Sequence, residues 1–198
     1  MSEELQKMYK KIDQVNQLDK RMEVVDGIET PKELIYGIRM SDWLERLYPD
    51  ANEAVAIAAR GQHIARWEIP RNEYPSGKAG YYKWRTALYT FHGEKLAELM
   101  EELDFNAETV RRVKQILLKK DLKTNFDTQF VEDVASLVFL SFYLDDFASR
   151  NDMNRKKLVD IIQKTWQKMS KHAQETAKTI AFSAEIGSIV QEALVSTP

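Results

Sequence analysis

Residues 130–147 read FVEDVASLVFLSFYLDDF, the most apolar stretch of the chain, with neither glycine nor proline in it. A stretch of this kind is either a buried helix or a membrane span, and length decides between them. Its apolar part, Val134 to Leu144, is interrupted by Ser136 and Ser141 and falls well short of the ~20 residues a bilayer needs. It is therefore expected to be the central helix of a globular domain, with no membrane span. The acidic pair Glu132-Asp133 sits early in it, between Val131 and Val134. Charged residues inside an apolar helix need partners or a metal, because burying an unpaired carboxylate is costly.

Outward from this helix the same spacing recurs. No valine-rich or isoleucine-rich alternation appears, so strands are expected in fewer than about one tenth of residues. The chain has only 7 glycines and 5 prolines, most of them before residue 94, and its second half is almost free of breakers. A first helix is expected over 2–18, with a modest apolar stripe of Leu5, Met8, Ile12 and Val15, followed by a loop through Gly27. Thr30 as N-cap and Pro31 at the first helical position start a helix that runs to Leu47. Asp50 with Glu53 fits an acidic capping box for an alanine-rich helix over 51–64. Residues 67–80, WEIPRNEYPSGKAG, form the one long breaker-rich loop, and loops of this length inside compact domains are often functional. Further helices follow over 81–103, 107–119 (capped by Asn106), 130–147, 154–169 and 171–193. The expected fold is all-α, a single helical domain spanning 1–198 with about seven helices. The first helix (1–20) and the C-terminal helices (152–198) belong either to its core or to its periphery.

Composition narrows the function. Lysine plus arginine is 29 and aspartate plus glutamate is 31, a net charge of −2. That argues against a general nucleic-acid binder, which carries a basic excess. The chain has no cysteine, which excludes disulfides, thiolate metal sites and a cysteine nucleophile. The N-terminus, MSEELQKMYKK, lacks the basic-then-apolar order of a signal peptide, so a cytoplasmic protein is expected.

Two constellations carry chemistry. The first is built on the scarce histidines. His63 ends the alanine-rich helix just before the long loop, and His92 lies mid-helix in YTFHGEK, whereas His172 stands in a polar context. Two histidines and a carboxylate from three helices make a three-ligand metal site with open positions, suited to zinc, iron or manganese. The plain alternative is packed histidines, with Glu132 and Asp133 as ion-pair partners of Arg60, Arg66 or Arg85. The second constellation is basic and aromatic: Arg60, Arg66, Trp67, Arg71, Lys83, Trp84 and Arg85, with Lys120 and Lys123 able to join from a later connector. Guanidinium forks bind phosphate or carboxylate bidentately, so this is a candidate site for a small anionic molecule. The alternative is a loop pinned by Trp67, Tyr74 and Trp84. The aromatic run Phe139, Phe142, Tyr143 and Phe147 reads as core. The apolar stripe of the last helices suits internal packing, or a contact between copies in a homo-oligomer.

Four blocks carry a family resemblance: PKELIYGIRMSDWLERL (31–47), AARGQHIARWEIPRNEYP (58–75), GYYKWRTALYTFH (80–92) and LKTNFDTQFVEDVASLVFL (122–140). Together they resemble domain of unknown function 4202, from about Ile12 to the final helix; that family's name carries no activity. More distantly the order of parts resembles the HD-domain metal-dependent phosphohydrolases, which are all-α. Their ligands are a histidine on one helix, a His-Asp doublet ending the next, and an aspartate on a later helix. Here Gln62-His63 takes the place of the doublet, and the first histidine falls near Tyr36, so the chain departs from the pattern at both. His92 resembles an extra histidine that some members carry, and Asp133 resembles the closing aspartate, with Glu132 as the other candidate. The resemblance implies an HD-like core with a modified site acting on a small anionic or nucleotide-like substrate. His63, His92 and Asp133 would be metal ligands, and Glu132 and Asp133 the catalytic carboxylates. Arg60, Arg66, Arg71, Lys83 and Arg85 would hold the anion. The rival expectations are a non-catalytic binding module for an anion and a protein-interaction scaffold.

Overall fold

The computed structural model describes residues 2–195, and among them ten α-helices follow one another in the chain. They are α1 (Glu3–Asn16), α2 (Lys32–Leu47), α3 (Glu53–Arg60), α4 (Gly77–Glu101), α5 (Ala107–Leu117), α6 (Phe126–Val138), α7 (Leu144–Ala148), α8 (Arg155–Lys168), α9 (Lys171–Ala177) and α10 (Ala184–Val195). Short polar side chains set many of their starts. Ser2, Asn52, Asn106, Asn154 and Ser170 each turn a side-chain oxygen onto the backbone N–H three residues on, capping α1, α3, α5, α8 and α9. Helix accounts for 70% of residues and strand for 4%, so the all-α expectation holds. No described helix is long and apolar enough to cross a membrane.

The departures from expectation have local causes. Residues read as a loop through Gly27 form an antiparallel hairpin, β1 (Met22–Val25) and β2 (Ile28–Pro31). Its turn is Asp26-Gly27, with φ of 51° and 82°, the dipeptide that a tight hairpin of this twist favours. Thr30 therefore lies in β2, and α2 begins after Pro31 without a side-chain cap. Asn52, not Asp50, caps α3. Ten helices appear where about seven were expected, partly because two long readings are divided. The 130–147 stretch becomes the end of α6, a five-residue π turn (Phe139–Tyr143) and α7, and this leaves Phe142 43% exposed, outside the core where it was expected. The last long helix is split into α9 and α10. The loop over 67–80 holds single turns at Arg66–Glu68 and Arg71–Glu73 and already includes the first turn of α4. It is pinned by Trp84, whose indole N–H donates to the Ile69 carbonyl at 2.9 Å. Gly80 is obligatory here, since a Cβ on it would lie 1.8 Å from the Pro75 carbonyl oxygen.

The described chain groups into two compact units, Met1–Val131 and Glu132–Pro198. In the first, α3 packs against α1, α2 and α5, and α4 packs against α1 and α5. The small residues Ala54, Ala56, Ala58 and Ala59 are all buried, which lets α3 occupy the middle, and Met8, Ile12, Met40, Ile57, Leu96 and Met100 fill the spaces around it. In the second unit α8 packs on α10 and Arg155 pairs with Glu192 at 2.7 Å; Leu137, Leu144, Ile162 and Met169 are fully or almost fully buried.

At Gly37 α2 comes close to the end of α3, where a Cβ would stand 2.7 Å from the Arg60 carbonyl oxygen. That oxygen is backbone and cannot swing aside. Gly37→Ala is expected to destabilise the protein by about 1–3 kcal/mol, as overpacking does. The check is a lower urea midpoint at an unchanged slope.

Candidate functional site

The site is built where α3 ends. After Arg60 the chain turns sharply through Gly61, Gln62, His63 and Ile64, and Ala65 adopts a left-handed conformation (φ 49°) that ordinarily costs an L-residue roughly 1–2 kcal/mol. The strain is held by burial and by a hydrogen bond from the Ala65 N–H to Asn16 Oδ1 at 3.1 Å. The kink presents the Ile64 carbonyl to His92 Nδ1 at 2.8 Å, and it brings Arg66 back to His63.

His63 is gripped from several sides. The Tyr36 ring stacks on its imidazole at 3.9 Å and 12°, and the Tyr36 hydroxyl donates to Gln62 Oε1 at 3.0 Å. Arg66 Nη1 lies 3.3 Å from Nδ1 and 3.2 Å from Nε2, and a group so nearly equidistant from both nitrogens sits over the ring rather than along either lone pair. His63 Nδ1 is 3.2 Å from Glu33 Oε2. Behind it runs a chain of charges. Glu33 Oε1 accepts from Arg21 Nη2 at 2.8 Å, and Arg21 forks onto Asp19 at 2.9 and 2.8 Å. Asp19 also accepts the backbone N–H groups of Arg21 and Glu33. Asp19 is 1% exposed and Glu33 6%, while the His63 side chain keeps 23% of its surface in solvent.

Hydrogen bonding sets the His92 tautomer. A carbonyl can only accept, so His92 Nδ1 carries the proton and its Nε2 keeps a lone pair. His92 Nε2 is buried with no hydrogen-bond partner, and the two imidazole centroids are 6.0 Å apart. Burial, followed by the cations of Arg66, Lys119, Arg85 and Arg21, pushes the His63 pKa well below the usual histidine value. Burial, then the neighbouring His63, takes His92 down to about 3. Burial also raises the Glu33 carboxyl, against the opposing pull of Arg66 and Arg21. Burial acts the same way on Asp19, but there the Arg21 hydrogen bonds win and the net shift is downward.

On the flank, α4 adds an aromatic and cationic face. Arg85 Nη1 donates to the Tyr81 hydroxyl at 3.2 Å and its other terminal nitrogen to the Tyr89 hydroxyl, with the guanidinium 5.8 and 5.2 Å from those ring centroids. Lys119 lies over the Tyr89 ring at 5.5 Å, and Arg66 lies over Trp84 at 5.1 Å.

Of the residues expected from sequence, His63, His92, Arg66 and Arg85 come together. Arg60 is committed elsewhere, forked onto Asp13 at 2.9 and 2.6 Å at the edge of a shallow hollow lined by Gln6, Tyr9 and Gln14. Arg71 staples its own loop by donating to the Tyr74 carbonyl at 2.9 Å. Lys83 is exposed on α4. Glu132 and Asp133 are buried, as expected for an acidic pair on an apolar helix. Within the second unit Asp133 Oδ1 accepts the Ser170 N–H at 2.7 Å and Glu132 pairs with Lys168 at 3.4 Å. Among the described residues no group of three or more histidine, aspartate and glutamate side chains is arranged to hold a metal ion. Sequence reasoning did not pick out Asp19, Arg21 or Glu33. Glu33 did leave a signal: with Gly37, Met40, Leu44 and Leu47 it falls on the buried stripe of α2, where a carboxylate demands an explanation.

Fold and site together define an all-α protein with a buried histidine–carboxylate centre bordered by arginines. The chain belongs to the family described as Domain of unknown function (DUF4202), whose model matches residues 6–190. No curated protein and no solved structure matches it.

The depressed histidine pKa values have a sign that can be measured. Below about pH 6.5 the unfolded chain takes up protons that the folded imidazoles refuse, so stability is lost as pH falls through that value. His92, held at about 3, should by itself remove about 2 kcal/mol between pH 7 and pH 5. His63 acts in the same direction, and Glu33, with its raised pKa, in the opposite one. His92→Asn retains a donor for the Ile64 carbonyl but does not titrate. Urea unfolding at pH 7 and pH 5 should show the wild type losing about 2 kcal/mol more than this variant; equal losses would mean that His92 is not buried as the neutral form.

Proposed function

We propose that the His63 centre binds the phosphate of a small anionic, nucleotide-like molecule and hydrolyses its phosphoester, in a modified HD-like site. The observation that carries this reading is a neutral imidazole, oriented by Glu33 and partly open to solvent, with four cationic side chains close enough to depress its pKa. His63 Nε2 is suited to take a proton from an attacking water as the new O–P bond forms and the ester O–P bond breaks, with the leaving oxygen protonated by solvent. Arg66, Arg85 and Lys119 are suited to stabilise the charge on the transferring phosphoryl group, which is where most of the catalysis of such reactions resides. The exposed rings of Tyr81 and Tyr82 on α4 offer stacking faces for a planar base. The HD-like reading draws support from the meeting of Tyr36, Gln62, His63 and His92 in one cluster.

The residues fit a divalent ion in part. His92 keeps Nε2 as a buried lone pair while its Nδ1 donates to the Ile64 carbonyl, the outer-shell pattern of ligating histidines, and His63 Nδ1 lies 3.2 Å from Glu33 Oε2. A bound zinc, iron or manganese ion would polarise the phosphoryl oxygen and lower the pKa of a bound water. The second reading, an anion-binding module without turnover, is favoured by Arg66, because a guanidinium over the His63 ring disfavours a metal cation beside it.

Thermal unfolding in millimolar phosphate, pyrophosphate and nucleoside monophosphates should raise the melting temperature of the wild type. Arg66→Ala and Arg85→Ala should each lose most of that shift. Phosphate release in the presence of added zinc, iron or manganese should fall at least 100-fold in His63→Asn. Anion binding without release under any of these conditions would leave the binding module; no shift with any anion would overturn both readings.

A further inference from the structure

The β1–β2 hairpin has one guarded edge and one open edge. Its two-residue turn makes Val25 and Ile28 a hydrogen-bonded pair, and Glu23–Thr30 and Arg21–Lys32 follow at every second step. The Lys32 N–H, which donates to the Arg21 carbonyl at 2.9 Å, agrees with that phase. In the alternate pairs, Met22–Pro31 and Val24–Glu29, the backbone N–H and C=O groups point away from the partner strand. On β2 the outer edge is blunted, because Pro31 has no N–H to offer. On β1 it is open. Among the described residues no third strand joins the sheet, and no turn or loop group bonds the outward N–H of Met22 or Val24. The Met22 and Val24 side chains are 47% and 67% exposed, and neither lysine nor proline interrupts β1. Natural sheets ordinarily protect an apolar edge of this kind.

The flanking charges say what fits this edge. Lys20 stands just before β1 and Asp26 just after it; both are exposed, and neither has an ion-pair partner among the described residues. The segment thus runs from a cation to an anion across an apolar middle, and it is complementary to itself when turned end for end. If two β1 strands pair antiparallel with Met22 opposite Val24 of the other copy, Lys20 falls opposite Asp26 of that copy. The same register sets Glu23 opposite Glu23, and each of those carboxylates is already paired with Arg39 of its own chain at 2.6 Å. We propose that the open edge of β1 binds a second copy of this chain, joining the two hairpins about a two-fold axis into one continuous sheet. The Met22–Val24 pairs exchange backbone hydrogen bonds, their side chains cover one another on the outer face, and the Lys20–Asp26 pairs fix the register. A strand of 4 residues makes a small contact. The dimer is therefore weak, with a dissociation constant on the order of 100 µM.

Sedimentation equilibrium from about 10 µM to about 1 mM should show monomer passing into dimer. Val24→Lys puts a charge on the open edge, and Val24→Pro removes an N–H that the hairpin itself does not use; each should raise the dissociation constant about tenfold or more. Asp26→Asn keeps the turn, because Asn-Gly favours it equally, and should weaken the dimer about threefold at low salt and less at high salt. Urea unfolding checks that each variant is folded, and Val24→Lys carries the test if Val24→Pro is not. The register has its own readout, since the chain has no cysteine. Met22→Cys and Val24→Cys proteins are mixed and oxidised; opposite residues in a hydrogen-bonded pair have Cα atoms about 5.5 Å apart, within disulfide reach, so the mixed disulfide should make up well over half of the cross-linked product. A chain that stays monomeric at about 1 mM overturns the proposal. So does a dimer that Val24→Lys and Asp26→Asn leave unchanged, or a mixed disulfide that forms only at the statistical share, because the contact then lies elsewhere.

Discussion

Glu33 is the point on which the candidate site hangs. A carboxylate buried in the first turn of a helix cannot persist unless both oxygens are met, and here Arg21 meets one and His63 the other. Each partner is then fixed in turn. Arg21 is held by Asp19, and Asp19 accepts the N–H of Glu33 itself, so the charges close a ring between the end of α1 and the start of α2. His63 lies beside Glu33 with its ring flat against Tyr36. Removing the half-exposed Arg21 would leave two buried carboxylates without their cation, which costs more than losing an ion pair between exposed partners.

Backbone strain follows the same geography. Ala65, Lys119, Asp121 and Lys123 all occupy left-handed conformations without being glycine, and the turn at Ala65 brings Arg66 back onto His63. Strain of this kind persists only where surrounding packing over-determines it. At Ala65 that packing is complete burial and the Asn16 hydrogen bond. The alanine-rich α3 supplies the rest, because its small side chains let α1, α2 and α5 press close enough to hold the turn that follows it.

Much of the helical architecture was legible in sequence. Periodic apolar residues located the helices, and Asn106 marked the start of α5 correctly. Thr30 is no N-cap because strand pairing claims it: Asp26-Gly27 makes a hairpin turn that places it in β2. The division of the 130–147 stretch escaped because a π turn has no breaker residue to announce it. At the site, the histidines, Arg66 and Arg85 stood out by residue type and neighbourhood. Arg60 and Arg71 looked equivalent to them and are not, because a guanidinium's partner is chosen by tertiary geometry: Asp13 for one, a loop carbonyl for the other. Asp19 and Arg21 were hidden for the converse reason. In one dimension they read as an ordinary charged connector, and only folding brings them against Glu33.

The β-hairpin has a bearing on how the chain can change. Its two ends are tied at the base, where the Lys32 N–H donates to the Arg21 carbonyl at 2.9 Å and the Arg21 side chain grips Glu33. Its far end, with Val24 and Ile28, is mostly in solvent. A tied loop transmits little from its tip to its base, and doubling its length adds only about 0.6 kcal/mol of closure entropy. The Asp26-Gly27 turn is thus a place where residues can be inserted, lengthened or exchanged while the carboxylate that orients His63 keeps its position.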